Sequence, residues 1–113
     1  QKFCALYGDT LLIGSYAGFQ LWDVSHGVMK FSWQSKKSLS SIHYVNENYI
    51  IANTEHTVLA WNDLSRRTAE PMRIPYPTKI VKCIVDAKYV IVQDKAGDVI
   101  VRMLGERLFA EHA

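Results

Sequence analysis

The strongest constraint on this chain is that it says nearly the same thing three times. Leu11-Leu12-Ile13-Gly14-Ser15, Tyr49-Ile50-Ile51-Ala52-Asn53 and Tyr89-Val90-Ile91-Val92-Gln93 are three short apolar runs of the same kind. Each precedes a turn and a second run: Phe19-Gln20-Leu21-Trp22, Val58-Leu59-Ala60-Trp61 and Val99-Ile100-Val101-Arg102. The first runs start 38 and then 40 positions apart, and the second runs end 39 and then 41 apart. The runs are rich in Val, Ile, Tyr and Phe and are bounded by Gly, Asn, Asp, Ser and Pro, the pattern of strands and turns rather than helices. Four strands are expected in each unit: 3–7, 11–16, 19–24 and 28–33; then 40–45, 49–53, 57–62 and 71–75; then 80–85, 89–94, 98–103 and 107–111.

A period near forty with four short strands per unit is the signature of propeller blades. The expected fold is therefore all-β: a partial β-propeller of three four-stranded antiparallel blades. It forms one domain over 1–113, divided as 1–38, 39–78 and 79–113. The second strand of each unit is apolar at successive positions, as a strand covered on both faces must be. The fourth strands Met29-Lys30-Phe31-Ser32-Trp33 and Leu108-Phe109-Ala110-Glu111-His112 alternate, as edges do. Pro71 and Pro75 flank Met72-Arg73-Ile74, which suits an edge because proline donates nothing to a ladder. Trp22 and Trp61 are expected to pack between blades, and Trp33 to be partly exposed.

Gly14-Ser15-Tyr16-Ala17-Gly18-Phe19-Gln20-Leu21-Trp22-Asp23 resembles the core of a WD repeat, in which a small-residue pair and a Gly turn lead into an apolar strand closing on Trp-Asp. Unit two departs from it at Trp61-Asn62, with Glu55-His56 in its turn. Unit three keeps Asp94 and Gly97 but has Arg102 in the Trp place, and the Gly-His pair of the family precedes none of the units. Degenerate WD-like repeats and another propeller family, such as the citron-homology type, are both compatible with these departures. The resemblance implies a non-catalytic scaffold for protein–protein interaction within a larger complex. It implies partners on the rim that carries the turns between second and third strands: Tyr16, Ala17, Glu55, His56, Lys95 and Ala96, with Lys36, Lys37 and Tyr76 from the inter-blade loops.

Three blades are too few for a ring, since propellers close with roughly four to eight. Four strands at about 4.8 Å spacing and about 17–20 Å length give an end face of order 350 Å². At about 25 cal/mol per Å² that is on the order of 9 kcal/mol of burial forgone per face, as an upper bound. Whole-domain stability is only about 5–15 kcal/mol. The remaining blades are therefore expected from the same longer polypeptide or from a second chain.

Composition excludes several classes. A hydrophobic fraction of 49% supports a packed core rather than disorder. No apolar run approaches the length of a membrane span. Gln1 opens onto a strand-like segment without the n- and h-regions of a signal peptide, so an intracellular piece of something longer, cytoplasmic or nuclear, is expected. A net charge of +2 is too small to imply nucleic acid. Cys4 and Cys83 are read as buried, reduced thiols one blade or more apart, so no disulfide is expected. His26, His43, His56 and His112 show no metal-ligand spacing, and no carboxylate pair or phosphate loop is evident. No catalytic, cofactor or metal residues are therefore expected, and the chain reads as no enzyme. His43 beside a cysteine is the one conceivable nucleophile–base pair. A propeller hydrolase or an enzyme-supporting subunit is the alternative function, and an RNA-binding subunit of a ribonucleoprotein is the next. Lys36-Lys37 and Arg66-Arg67 fall in loops of opposite rims and so should not merge into one basic patch.

Overall fold

The computed structural model describes residues 2–46, 49–62, 70–105 and 107–109. Three antiparallel sheets follow one another along the chain. The first comprises β1 (Lys2–Tyr7), β2 (Thr10–Ser15), β3 (Gly18–Asp23) and β4 (Val28–Gln34), in that order. The second comprises β5 (Ser41–Asn46), β6 (Tyr49–Asn53), β7 (Thr57–Trp61) and β8 (Met72–Pro75). The third has β9 (Ile80–Val85), β10 (Tyr89–Asp94) and β11 (Val99–Met103), with β10 in the middle.

The expected fourth strand of the third unit, 107–111, does not form as read. Residues 107–109 are helical, and 110–111 lie outside the described residues. The cause is packing. Neighbouring strand residues point to opposite faces, yet Leu108 and Phe109 both pack onto the core between the second and third sheets. Phe109 also stacks on Tyr49, with ring centroids 6.0 Å apart. A helical turn, opened by Gly105 at positive φ, lets adjacent side chains turn toward the same core.

Two cores hold the sheets together, and the middle sheet supplies a face to each. The first gathers Leu12, Phe19, Leu21 and Phe31 of the first sheet against Ile42, Ile50, Ala52, Leu59 and Trp61 of the second. The second core gathers Ile51, Val58, Ala60 and Ile74 against Ile80, Cys83, Val90 and Val92 of the third. Successive residues of β6 and β7 thus alternate between two cores, which is why both strands read as unbroken apolar runs. The same apolar character in the outer sheets is only half used. Leu12 is 1% exposed, whereas its neighbour Ile13 is 42% exposed.

The register also corrects the alignment of the repeats. Leu11 pairs with Trp22, Ile50 with Trp61 and Val90 with Arg102. The structural equivalents are therefore Leu11, Ile50 and Val90, one residue along from the tyrosines that begin the later runs. The slip matters because one residue flips a strand's faces. In this register Trp61 and Arg102 belong to the face turned toward the preceding sheet. Trp22 occupies the corresponding face of the first sheet, which no other described sheet covers. It is half-buried there, its Nε1 donating to Gln20 Oε1 at 3.0 Å, so the expectation that it packs between two sheets does not hold. Cys4 is likewise exposed on that face rather than buried. Trp33, expected to be partly exposed, is half-buried against the first core, 5.0 Å from Trp61 and 6.2 Å from Phe19 between ring centroids.

Candidate partner-binding rim

The turns between second and third strands are tied to the connections between sheets by a hydrogen-bond pair that recurs. In the first unit the Leu39 N–H donates to the Tyr16 carbonyl and the Ser35 N–H to the Ala17 carbonyl, both at 2.9 Å. In the second, the Ile80 N–H donates to the Glu55 carbonyl at 2.8 Å and the Tyr76 N–H to the His56 carbonyl at 2.7 Å. The third turn joins the same edge through Lys95 N–H, which donates to the Lys79 carbonyl at 2.8 Å. These bonds join turns and linkers along one edge and use backbone groups there, so that exposed side chains dominate its outer surface.

Tight turns make this geometry possible. Gly18 enters β3 at φ +144°, and a Cβ there would stand 2.1 Å from the Trp33 carbonyl oxygen, so the β3–β4 pairing admits only glycine. In the second turn, Thr54 Oγ1 accepts the Thr57 N–H at 3.2 Å. In the third, Asp94 Oδ1 accepts the Asp98 N–H at 3.0 Å. Short polar side chains thus close two turns and glycine opens the other.

Of the rim residues expected from the sequence, Tyr16, Ala17, Lys36, Lys37, Glu55, His56, Lys95 and Ala96 are all exposed on this edge. Tyr76 is the exception. Its backbone lies on the rim, but its side chain is only 5% exposed. Arg102 Nε donates to the Tyr76 hydroxyl at 3.2 Å, and the guanidinium sits 5.8 Å from the ring centroid. Tyr76 is therefore a core residue, held by the arginine that replaces the tryptophan of the other units. A stacked, hydrogen-bonded guanidinium does the work of the missing indole there.

Two adjoining clefts give the rim relief. One, of about 450 Å³, runs between Trp33, Lys36 and Lys37 on one side and Thr54, Glu70 and Arg73 on the other. The second, of about 510 Å³, is lined by Lys37, Ser38, Ser40, Thr54, Glu55, His56 and Lys79. Lys37 and Thr54 are common to both. His56 Nε2 lies 3.9 Å from Glu55 Oε1, and its Nδ1 lies 3.4 Å from the Tyr76 carbonyl oxygen. Sequence reasoning did not assign Arg73 to this surface. Its pairing with Leu59 turns it toward the first sheet and the 36–37 linker, and the alternation Met72-Arg73-Ile74 was the available signal. Arg66 and Arg67, expected on the opposite rim, lie outside the described residues.

The reactive side chains elsewhere are set differently. Burial pushes the Cys83 thiol up to about 11, away from the thiolate a nucleophile needs. Burial also holds His43 below its ordinary value, opposed by a hydrogen bond with the Cys83 backbone, and its Nε2 lies 3.2 Å from Ser41 Oγ. The His43 imidazole thus meets the backbone of Cys83, and burial favours the neutral form of both side chains. On the surface, Asp23 is held down at about 2 by the Ser25 hydroxyl and by His26, whose Nδ1 stands 2.9 Å from Oδ2. Among the described residues no group of three or more His, Cys, Asp or Glu is placed to hold a metal ion. No described helix is long and apolar enough to cross a membrane.

No protein-family model matches the chain, and no curated protein matches it in sequence. Solved structures do resemble it. A chain in an S. cerevisiae complex of Dbp5 with Nup159 and Gle1 aligns with a TM-score of 0.71 at 14% identity, over 92% of this chain and 27% of that one. The N-terminal domain of Nup159 aligns at 0.65 and 16%, over 94% and 31%. Hsv2 of Kluyveromyces lactis aligns at 0.58 and 14%, over 95% and 33%. The computationally designed Ika4 protein aligns at 0.65 and 13%, over 90% and 64%. The chain thus spans about a third or less of the natural chains and under two thirds of the designed one. At these identities the likeness is one of fold: an all-β chain of three antiparallel sheets, similar to β-propeller proteins.

Proposed function

We propose that this chain is a non-catalytic protein-interaction scaffold, three blades of a WD-like β-propeller that further blades complete, working in the cytoplasm or nucleus. The single observation that carries the reading is the hydrogen-bond pair that ties each of the first two turns to the linker after it, with the third turn bonded to the same edge through Lys95 and Lys79. It leaves eight exposed side chains of mixed charge, aromatic and aliphatic character along one edge. A surface of hydrogen-bonded backbone and exposed side chains suits recognition, because little backbone entropy is lost on binding. Nup159 and Gle1 occur together with Dbp5 in the complex that contains a similar chain, and a partner-binding role agrees with that setting. Reversing charge with Glu55→Lys and Lys95→Glu is expected to abolish capture of the partner while leaving the melting temperature unchanged. Undiminished capture would remove the rim from the argument.

One observation favours a second reading. Lys36, Lys37, Arg73 and Lys79 border the two adjoining clefts, a denser basic patch than the linear spacing implied, and phosphate contacts supply most non-specific nucleic-acid affinity. Lys36→Gln with Lys37→Gln is expected to leave RNA binding and its salt dependence unaltered on the scaffold reading. A shallower salt slope in the double variant would favour the RNA-binding one.

A further inference from the structure

The two clefts of the rim meet at the linker between the first and second sheets. Lys36 and Lys37 line one cleft, Lys37 and Ser38 line the other, and Lys79 also lines the second. Among the described residues Lys36, Lys37 and Lys79 enter no ion pair, whereas the other cleft charges are engaged. Arg73 Nη2 lies 3.8 Å from Glu70 Oε2, and Glu55 Oε1 lies 3.9 Å from His56 Nε2. The linker is held at both ends, where the Ser35 and Leu39 N–H groups donate to the Ala17 and Tyr16 carbonyls. Between those anchors the N–H groups of Lys36, Lys37 and Ser38 have no hydrogen-bond partner among the described residues. The exposed hydroxyls of Ser38 and Ser40 have none either. The second linker, Pro77-Thr78-Lys79, has the same two anchors at Tyr76 and Ile80, but its proline removes one N–H. Of the two linkers, the first therefore joins two unpaired cations to a run of unspent donors.

We propose that the junction of the two clefts binds one phosphoserine or phosphothreonine in an extended segment of a partner protein. The proposal rests on the partner-binding reading above and names the chemistry that this part of the rim recognises. A phosphate monoester concentrates a charge of about −1.5 to −2 and three acceptor oxygens in one group. Unpaired ammonium groups, unspent N–H groups and hydroxyls on one linker supply the matching donors. Holding that linker at both ends limits the ordering cost of binding. The carboxylates decide between a compact and an extended anion. Glu70 lines the first cleft and Glu55 the second, with Lys37 common to both. A nucleic-acid strand carries a charge at every phosphate, so along both clefts it would meet each carboxylate in turn. A single phosphate with neutral neighbours avoids both. Stacking gives the same answer, because Trp33 packs against Trp61 and Phe19 rather than standing clear for a base.

Fluorescence anisotropy with labelled peptides, on the intact polypeptide that carries these sheets, tests this. A neutral glycine–alanine peptide with one central phosphoserine is expected to bind about tenfold or more tighter than its unphosphorylated form. Lys37→Gln should weaken the phosphopeptide by about tenfold, whereas Lys37→Arg should keep most of the affinity. Glu70→Gln releases Arg73 and should tighten binding. Lys88→Gln, in the turn between β9 and β10 at the other end of the strands, should change nothing. All these side chains are exposed, so melting temperatures should stay the same throughout. Equal affinity for the two peptides overturns the proposal, as does unchanged affinity in Lys37→Gln or an equal loss in Lys88→Gln. So does tighter binding of a single-stranded RNA of the same length. Partner capture answers separately for the rim. If Glu55→Lys with Lys95→Glu abolishes capture while neither peptide is preferred, the rim reading stands and the phosphate site falls.

Discussion

Trp61→Ala tests the two-core packing most directly. The indole is 1% exposed and meets Phe19 at 4.9 Å and 87° and Trp33 at 5.0 Å and 75°, both edge-to-face. Truncating a buried aromatic to alanine typically costs about 3–5 kcal/mol, and two edge-to-face pairs at about 0.5–1.5 kcal/mol each place this site toward the upper end. One contribution opposes that. Among the described residues the buried Trp61 Nε1 has no hydrogen-bond partner, and such an orphan donor costs the folded state about 1–3 kcal/mol that alanine recovers. The net expected loss is about 3 kcal/mol. With a urea slope of about 2 kcal/mol/M, the unfolding midpoint should fall by about 1.5 M with the slope unchanged. Trp61→Phe keeps a ring in place and discards the orphan donor, so it should cost about 1 kcal/mol or less. Trp22→Ala, at the same register position but on the open face, should cost the unassembled chain less than about 1 kcal/mol. Equal losses at Trp61 and Trp22, or a Trp61→Ala loss below about 1 kcal/mol, would refute the assignment of the two faces.

Gly18→Ala places a Cβ against the Trp33 carbonyl at a φ that side chains disfavour, so a loss on the order of 1–3 kcal/mol by thermal denaturation is expected. Arg102→Lys retains charge but loses the fork over Tyr76. A loss of about 1 kcal/mol in urea titration should result, and no loss would mean the stacking is idle. Asp23 is depressed from 3.8 to about 2 in the folded chain, so its contribution is complete above pH about 4 and disappears as pH falls toward 2. Asp23→Asn should therefore flatten the stability profile in that window and leave its neutral limb unchanged in shape. With the thiol of Cys83 buried and raised, a disulfide reagent on the unassembled chain should label Cys4 promptly and Cys83 only at the rate of opening. Equal labelling rates would contradict the burial.

Much of the fold was legible because strand sequences record how many of their faces are covered. The unbroken run Ile50-Ile51-Ala52 announced a strand between two cores, and β6 is that strand. Leu11-Leu12-Ile13 carries the same message, yet only Leu12 is enclosed. The run reports the environment the strand suits, and the described sheets do not provide all of it. The rim residues were legible from turn positions, since turns between second and third strands share one edge by construction. Tyr76 was not, because its inward rotamer depends on Arg102, 26 positions away. The 107–111 segment misled for a related reason. Alternation of Leu108, Ala110 and His112 is a local pattern, whereas the pull of the second core on both Leu108 and Phe109 is not.

From its own residues the chain determined its strand spacing, its apolar runs and its repeating turns, because these are local matters of backbone preference and period. Only the tertiary structure decided which face of each strand is covered, since a one-residue register shift exchanges the faces without changing composition. It thereby decided that Trp61 is enclosed and Trp22 only half-buried, and that Arg102 takes over for an indole.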